Sequence, residues 1–178
     1  MSDILMPQSP LEGRVKLGAQ PGLGIQELPG MTQFQVLAHK GKSTALGRKL
    51  AALEGVEENG LFIYATAPGE YWVFAEENDA HDVKALLSKK FSETVSIFDQ
   101  SHGRLVLRIE GPRAADIVAK GSPLDLDAMP GSGAAHTVIE HMPVLVCQRT
   151  KPACYDISVP RSYAISFVAW LMETVRDM

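Results

Sequence analysis

Asp99, Gln100, Ser101 and His102 are consecutive, and they include the acid, hydroxyl and imidazole of a nucleophilic triad. Ser101 and His102 are sequence neighbours, however, and neighbours on a strand point to opposite faces, so a triad is poorly served. The spacing instead predicts a turn, with Asp99 or Ser101 bonding local amides and Gly103 allowing the reversal. His39, His81, His102, His136 and His141 include no pair four residues apart on a predicted helix. Only Cys147 and Cys154 lie near His141, which gives no metal-ligand pattern. The seven-residue gap between the cysteines matches no standard thiol motif, so both read as small buried hydrophobes. Gly22-Leu23-Gly24 and Gly131-Ser132-Gly133 lack the strand-before, helix-after setting of a dinucleotide fingerprint and read as loops. At Pro160-Arg161-Ser162, free amides and a guanidinium at a strand-to-helix junction could hold a carboxylate or phosphate. The competing reading is a cap, with Arg161 paired to a carboxylate of its own domain or of another subunit. No catalytic, cofactor-binding or metal-binding residue emerges, and the chain does not read as an enzyme by itself.

The elements that position these residues begin at Phe34. Phe34–Ala38 reads as a strand. Ser43 can cap a helix carrying Leu46, Leu50 and Leu53, stopped at Gly55. Leu61–Thr66 and Tyr71–Ala75 are β-rich runs around Ala67-Pro68-Gly69-Glu70, a hairpin signal. Asn78 or Asp79 caps a helix with Val83, Leu86, Leu87 and Phe91, and Val95–Phe98 follows as a strand. The order is βαββαβ. The second half repeats the plan: strand Leu105–Ile109, a helix opened by Gly111-Pro112 with Pro at its first position and ended by Gly121, strands His136–Glu140, Pro143–Arg149 and Tyr155–Val159, and a helix from near Ser162 to about Arg176.

At an offset of 70, Val36-Leu37 meets Val106-Leu107 and Gly41 meets Gly111; at 84, Leu61 to Leu87 lies over Leu145 to Leu171 with seven identities. The extra residues fall in Ser122–Met142, with an extra strand. The reading is an α+β fold of two pseudo-repeated βαββ halves, about 34–99 and 104–178, in a single domain 34–178. Residues 1–33 hold nine Gly and Pro and read as an extended arm. Its apolar residues suit a segment lying against its own domain or a partner, and a partly disordered terminus is the alternative.

The last helix is apolar around most of its circumference: Ile165, Val168 and Met172 share one face, while Phe167, Trp170 and Leu171 spread beyond it. Either the arm or another chain must cover the second face. Trp170, Phe167, Tyr163 and Arg161 are the interface candidates.

Composition narrows the classes. The 178 residues are 46% hydrophobic and 21% charged, as in ordinary globular proteins. A net charge of -4 offers no cationic field for nucleic acid. The longest apolar stretch, Tyr163 to Met172, is far short of the ~20 residues that span a bilayer, so no membrane partner is expected. With two cysteines and no basic-then-apolar opening, a reducing cytoplasm is the expected setting.

Several stretches resemble the gamma subunit of heterotetrameric sarcosine oxidase: Ser9-Pro10-Leu11, Gly69-Glu70-Tyr71-Trp72, Phe98-Asp99-Gln100-Ser101-His102-Gly103-Arg104, Gly111-Pro112-Arg113-Ala114, Ala119-Lys120-Gly121-Ser122-Pro123-Leu124-Asp125-Leu126, and Val159-Pro160-Arg161-Ser162-Tyr163-Ala164 with Trp170-Leu171 behind it. The resemblance runs over nearly the whole chain. It implies a fold related to the folate-binding domain of glycine-cleavage T proteins and tRNA-modification GTPases. It implies a complex that oxidatively demethylates sarcosine to glycine, yielding hydrogen peroxide and formaldehyde, or methylenetetrahydrofolate when folate is present. It also implies alpha, beta and small delta partner subunits that hold FAD, FMN, NAD, tetrahydrofolate and zinc, with no cofactor bound by this chain. A free-standing folate or one-carbon binding protein is the rival reading, and a ligand-free homo-oligomeric scaffold a third.

Overall fold

The computed structural model describes residues 9–11, 21–44, 60–76, 80–91, 93–129 and 133–178. Nine strands are seen in them: β1 (Gly24–Glu27), β2 (Thr32–Ala38), β3 (Leu61–Ala67), β4 (Glu70–Ala75), β5 (Val95–Asp99), β6 (Arg104–Glu110), β7 (Ala134–Ile139), β8 (Met142–Gln148) and β9 (Cys154–Pro160). The α-helices are α1 (Ala80–Phe91), α2 (Ala114–Gly121) and α3 (Ala164–Arg176), the last entered through a 3-10 turn at Arg161–Tyr163. The helix expected from Ser43 to Gly55 lies, beyond its first residues, outside the described residues. So do the caps at Asn78 and Asp79, Gly131-Ser132, and much of the arm.

The strands form two antiparallel sheets, ordered β3-β4-β2-β5 and β1-β6-β9-β8-β7. Side chains alternate across each strand, so each sheet needs cover on both faces. On β4, Tyr71, Val73 and Ala75 point to one side, where they pack with Val83, Leu87 and Phe91 of α1. Trp72 and Phe74 point to the other, where with Phe62 and Tyr64 they meet Val106, Leu145 and Cys147 of the second sheet. The second sheet's far face, including Leu107, Ile109, Val146, Ile157 and Val159, is covered by α2 and α3. The result is a layered helix–sheet–sheet–helix sandwich.

The duplication holds at the level of topology. β2, β3, β4 and α1 correspond to β6, β8, β9 and α3, and β7 is the added strand. In the helices the offset of 84 is in phase: buried Val83, Leu87 and Phe91 lie over buried Phe167, Leu171 and Val175. The offset of 70 for the first strands is out of phase, because Val36 faces its helix whereas Val106 faces the other sheet. Strand pairing puts Phe34 over Leu107 and Val36 over Ile109, an offset of 73. A register break in β3 between Ala65 and Ala67 likewise leaves Leu61 equivalent to Val144 rather than Leu145.

The described part of the arm lies against its own domain. β1 pairs antiparallel with β6, the place that β5 takes beside β2 in the first sheet. Leu11, Leu23 and Ile25 join the core under α2 and α3. Gly111 makes this approach possible, since a Cβ there would come 2.5 Å from the Gly22 carbonyl oxygen, and its φ is +115°. The helix expected to open at Gly111-Pro112 starts two residues later, at Ala114. Pro112 sits in the preceding turn, closed by the Ala114 N–H donating to the Gly111 carbonyl.

Gly111→Ala should therefore lower the unfolding free energy by about 2 kcal/mol or more. Gly30 also has a positive φ, but a Cβ there would meet nothing within 4 Å, so Gly30→Ala should cost only about 1 kcal/mol. Urea unfolding of the two variants gives the comparison, and equal losses would remove the steric role given to Gly111.

Candidate interaction surface

The sheets do not meet through apolar side chains alone. Arg108 on β6 donates from Nε to Asp156 Oδ1 (2.7 Å) and from Nη2 to Asp156 Oδ2 (2.9 Å) and to Glu76 Oε1 (2.6 Å). Arg149, just past β8, donates from Nη1 to the same Asp156 Oδ2 (3.0 Å), and its Nη2 lies 3.2 Å from Glu76 Oε1. Its guanidinium lies 3.4 Å from the centre of the Phe62 ring. Glu76 and Phe62 belong to the first half, Arg108, Arg149 and Asp156 to the second. Two cations and two carboxylates thus close a neutral network across the seam. Asp156 is 2% exposed, so its charge is supportable there only because three charge-assisted hydrogen bonds replace water. Burial pushes the Glu76 carboxyl up, but hydrogen bonds and charge from Arg108 and Arg149 outweigh it and hold the group below its ordinary range.

Further along the seam, Arg104 donates to Ser158 Oγ (2.7 Å) and to the Ser158 carbonyl (2.8 Å), and Ser158 Oγ donates to Gln33 Oε1 (2.5 Å). Glu70 accepts from Gln35 Nε2 (2.8 Å) and Trp72 Nε1 (3.3 Å) and lies 3.5 Å from His136 Nε2 across the sheets.

The expected turn is present. Asp99 Oδ1 accepts the Ser101 N–H (2.9 Å), while Ser101 Oγ accepts the Gln33 N–H (3.0 Å). No hydrogen bond joins Ser101 to His102 among the described residues. Both cysteines are free and buried, and burial raises the Cys147 thiol far above its ordinary range, which makes it inert. Among the described residues, no group of three or more His, Cys, Asp or Glu is placed to hold a metal ion. No helix there is long and apolar enough to cross a membrane.

The four interface candidates separate. Phe167 is fully buried in its own core with Val168 and Leu171, so it offers no surface; this corrects the expectation for that residue. The two faces of α3 are also reassigned. Phe167, Val168 and Leu171 pack inward and Met172 packs partly buried against the same core, so the expected Ile165–Val168–Met172 face is split and Ile165, 43% exposed, points out. Trp170 is half-buried. It packs onto Gly121, where a Cβ would collide with the indole ring, and its ring centre lies 5.6 Å from that of Phe167. Tyr163 is 41% exposed, and Arg161 is exposed beside it. The outward strip is thus Tyr163, Ile165 and Ala169, flanked by Trp170, Met172 and Arg161.

No protein-family model matches the chain. The sarcosine oxidase gamma subunit of Corynebacterium sp. (strain U-96) is 30% identical over 158 residues, 87% of this chain and 75% of that protein. A chain of the heterotetrameric sarcosine oxidase from Corynebacterium sp. U-96, solved with pyrrole 2-carboxylate, superposes with a TM-score of 0.76 at 25% identity, covering 96% of this chain and 95% of that one. Glycine cleavage system aminomethyltransferase T from Bartonella henselae shares the fold, with a TM-score of 0.64 at 16% identity over 85% of this chain and 45% of that one.

Removing one charge from the seam should be costly. Asp156→Asn removes the buried carboxylate that Arg108 and Arg149 share and is expected to lose about 3 kcal/mol or more in urea unfolding. Lys151→Met breaks an exposed pair with Glu110 and should leave the urea midpoint nearly unchanged, because solvent screens that pair. The seam also sets an acid limit. The folded pKa of Glu76 lies below its unfolded value near 4.5, so its contribution is complete above that pH and is lost as pH falls through the folded value. Glu76→Gln should therefore be less stable at neutral pH and flatten the fall of stability below pH 4.5; an unchanged acid slope would contradict the coupling.

Proposed function

The chain belongs to the sarcosine oxidase gamma subunit family, and on that premise we propose that it is the non-catalytic gamma chain of a heterotetrameric sarcosine oxidase. The likeness over 96% of this chain to a chain of such a complex carries the reading. The complex converts sarcosine to glycine by oxidative demethylation. FAD, FMN, NAD, tetrahydrofolate and zinc are held by the alpha, beta and delta partners, and this chain stabilises the flavoprotein subunits. Two free, buried thiols fit a reducing cytoplasm.

The chemistry of the surface supports a structural role. Several groups that could react serve the fold among the described residues: Ser101 and Asp99 hold a turn, Asp156 and Glu76 pair with arginines, and Cys147 is buried between the sheets. The outward side of α3 exposes Ile165 and Ala169 beside polar Ser166 and Glu173. Tyr163 and Ile165 would be buried by a partner, and Arg161 beside them can pair with a partner carboxylate.

Capture of the tagged chain from its host should bring down yellow, flavin-bearing chains in fixed proportion. Ile165→Asp should leave the free chain's stability within about 0.5 kcal/mol and weaken capture about tenfold or more. Recovery of the wild-type chain without flavin-bearing partners would overturn the reading. Undiminished capture by the variant would move the contact off this face.

A further inference from the structure

Three arginines line the seam, and two carboxylates serve two of them. Arg108 and Arg149 share Asp156 and Glu76. Arg104 reaches neither. Its acceptors, the hydroxyl and carbonyl of Ser158, are neutral, and its guanidinium carbon lies 5.1 Å from the centre of the Trp72 ring. Among the described residues no carboxylate forms an ion pair with it. Burial accordingly lowers the Arg104 pKa, whereas the carboxylates around Arg108 raise that group's pKa. A cation withdrawn from water without a counter-charge is costly, and an anion beside it would remove that cost.

Room for one exists. Arg104 opens onto a cavity of about 400 Å³ at the end of the seam. Ser101 and His102 from the β5–β6 turn and Arg161 from the 3-10 turn line it, together with Leu28 and Met31 from the link between β1 and β2. Glu27 also lines the cavity, and among the described residues no ion pair joins it to Arg104. Two features define what fits. Arg104 brings one unmatched charge, with Nε and one Nη2 hydrogen already engaged, which suits a monoanion better than a dianion. The walls at Leu28 and Met31 suit an apolar body.

We infer that this cavity is a binding site for a small organic carboxylate, its charged end toward Arg104 and its apolar body against Leu28 and Met31. Arg161 of the 3-10 turn lines the site, whereas Ile165 on the outward face of α3 does not. Occupancy is therefore separable from partner capture through Ile165.

The full chain supplies its own probe. Trp72 is buried against Arg104, while Trp170 stands on the other side of the second sheet. The chain is titrated at constant ionic strength with hexanoate, acetate and inorganic phosphate, and tryptophan emission is followed. Hexanoate should give a saturable change in the millimolar range, with acetate needing about tenfold more because it buries fewer methylenes, and phosphate weaker than hexanoate. Arg104→Gln should raise the half-saturating hexanoate concentration about tenfold or more. Should that variant fail to fold, Arg104→Lys keeps the charge without the planar fork and should weaken binding in the same direction. No saturable response to hexanoate, equal responses to all three anions, or an unaltered midpoint in the variant overturns the site. Loss of partner capture in a folded Arg104→Gln chain, where the wild-type chain gives no saturable hexanoate response, would assign the charge to a partner's carboxylate instead, and also overturns it.

Discussion

Asp156 is the point on which the two halves agree. It stands in β9, the middle strand of the second sheet, facing the first sheet with almost no access to water. An isolated carboxylate there would cost several kcal/mol in desolvation, so the fold can close only in a register that brings Arg108, Arg149 and Glu76 around it. Apolar packing of Phe62, Phe74 and Leu145 supplies attraction between the sheets but tolerates sliding, since hydrophobic contact is non-directional. The bidentate Arg108–Asp156 pair does not tolerate it. Whether such a network adds net stability over an apolar seam is a separate matter from its ability to specify one arrangement. Here its members come from both halves, so the seam fixes their relative placement as well as holding them together.

The second sheet is complete only because the chain's early residues return to it. β5, which follows α1, closes the edge of the first sheet, and the corresponding place beside β6 is filled by β1, which precedes β2. An open β6 would expose unpaired amides and carbonyls to any passing strand. β1 removes that edge, and Leu23 and Ile25 bring apolar area under the helices with it. The steric demand at Gly111 follows directly, because the arm must cross within contact distance of the β6–α2 turn. Closure of the second sheet by a strand from the arm makes Leu23 and Ile25 as much a part of the core as the residues of β9.

Much of this was legible in sequence, and the failures share one physical origin. Strand positions, α1 and α3, the extra strand and the duplicated order follow from periodicity and turn residues, which are local. Which side of a strand faces which layer is not local. In β9 the pattern Cys154-Tyr155-Asp156-Ile157-Ser158 alternates as if one side met water, yet that side meets another sheet, and Asp156 and Ser158 are among the most buried polar residues. Arg104, Arg108 and Arg149 were therefore invisible as a constellation, being scattered along strands that read as half-exposed. The phase error between β2 and β6 has the same cause: Val36 and Val106 are chemically alike but line different layers. For α3, a helix apolar on nearly every side offers no contrast from which to pick the buried face, so Phe167, expected at an interface, is buried with Val168, and Ile165 is exposed.

That same excess of apolar residues on α3 bears on how a surface can serve assembly. A docking face is weakened by whatever order it must acquire on binding, because each rotamer-rich side chain immobilised costs part of the interaction. The strip beside Arg161 is ordered in advance. Phe167, Val168 and Leu171 clamp the helix to the sheet, and the absent side chain of Gly121 lets Trp170 lie flat against α2. The 3-10 turn that holds Tyr163 is itself pinned, with the Arg161 N–H donating to the Gly103 carbonyl at 2.9 Å. Tyr163 and Ile165 therefore project from a backbone that need not rearrange. A subunit without reaction chemistry can still set the geometry of one that has it, provided its contact face is rigid, and the seam behind β6 and β9 supplies that rigidity.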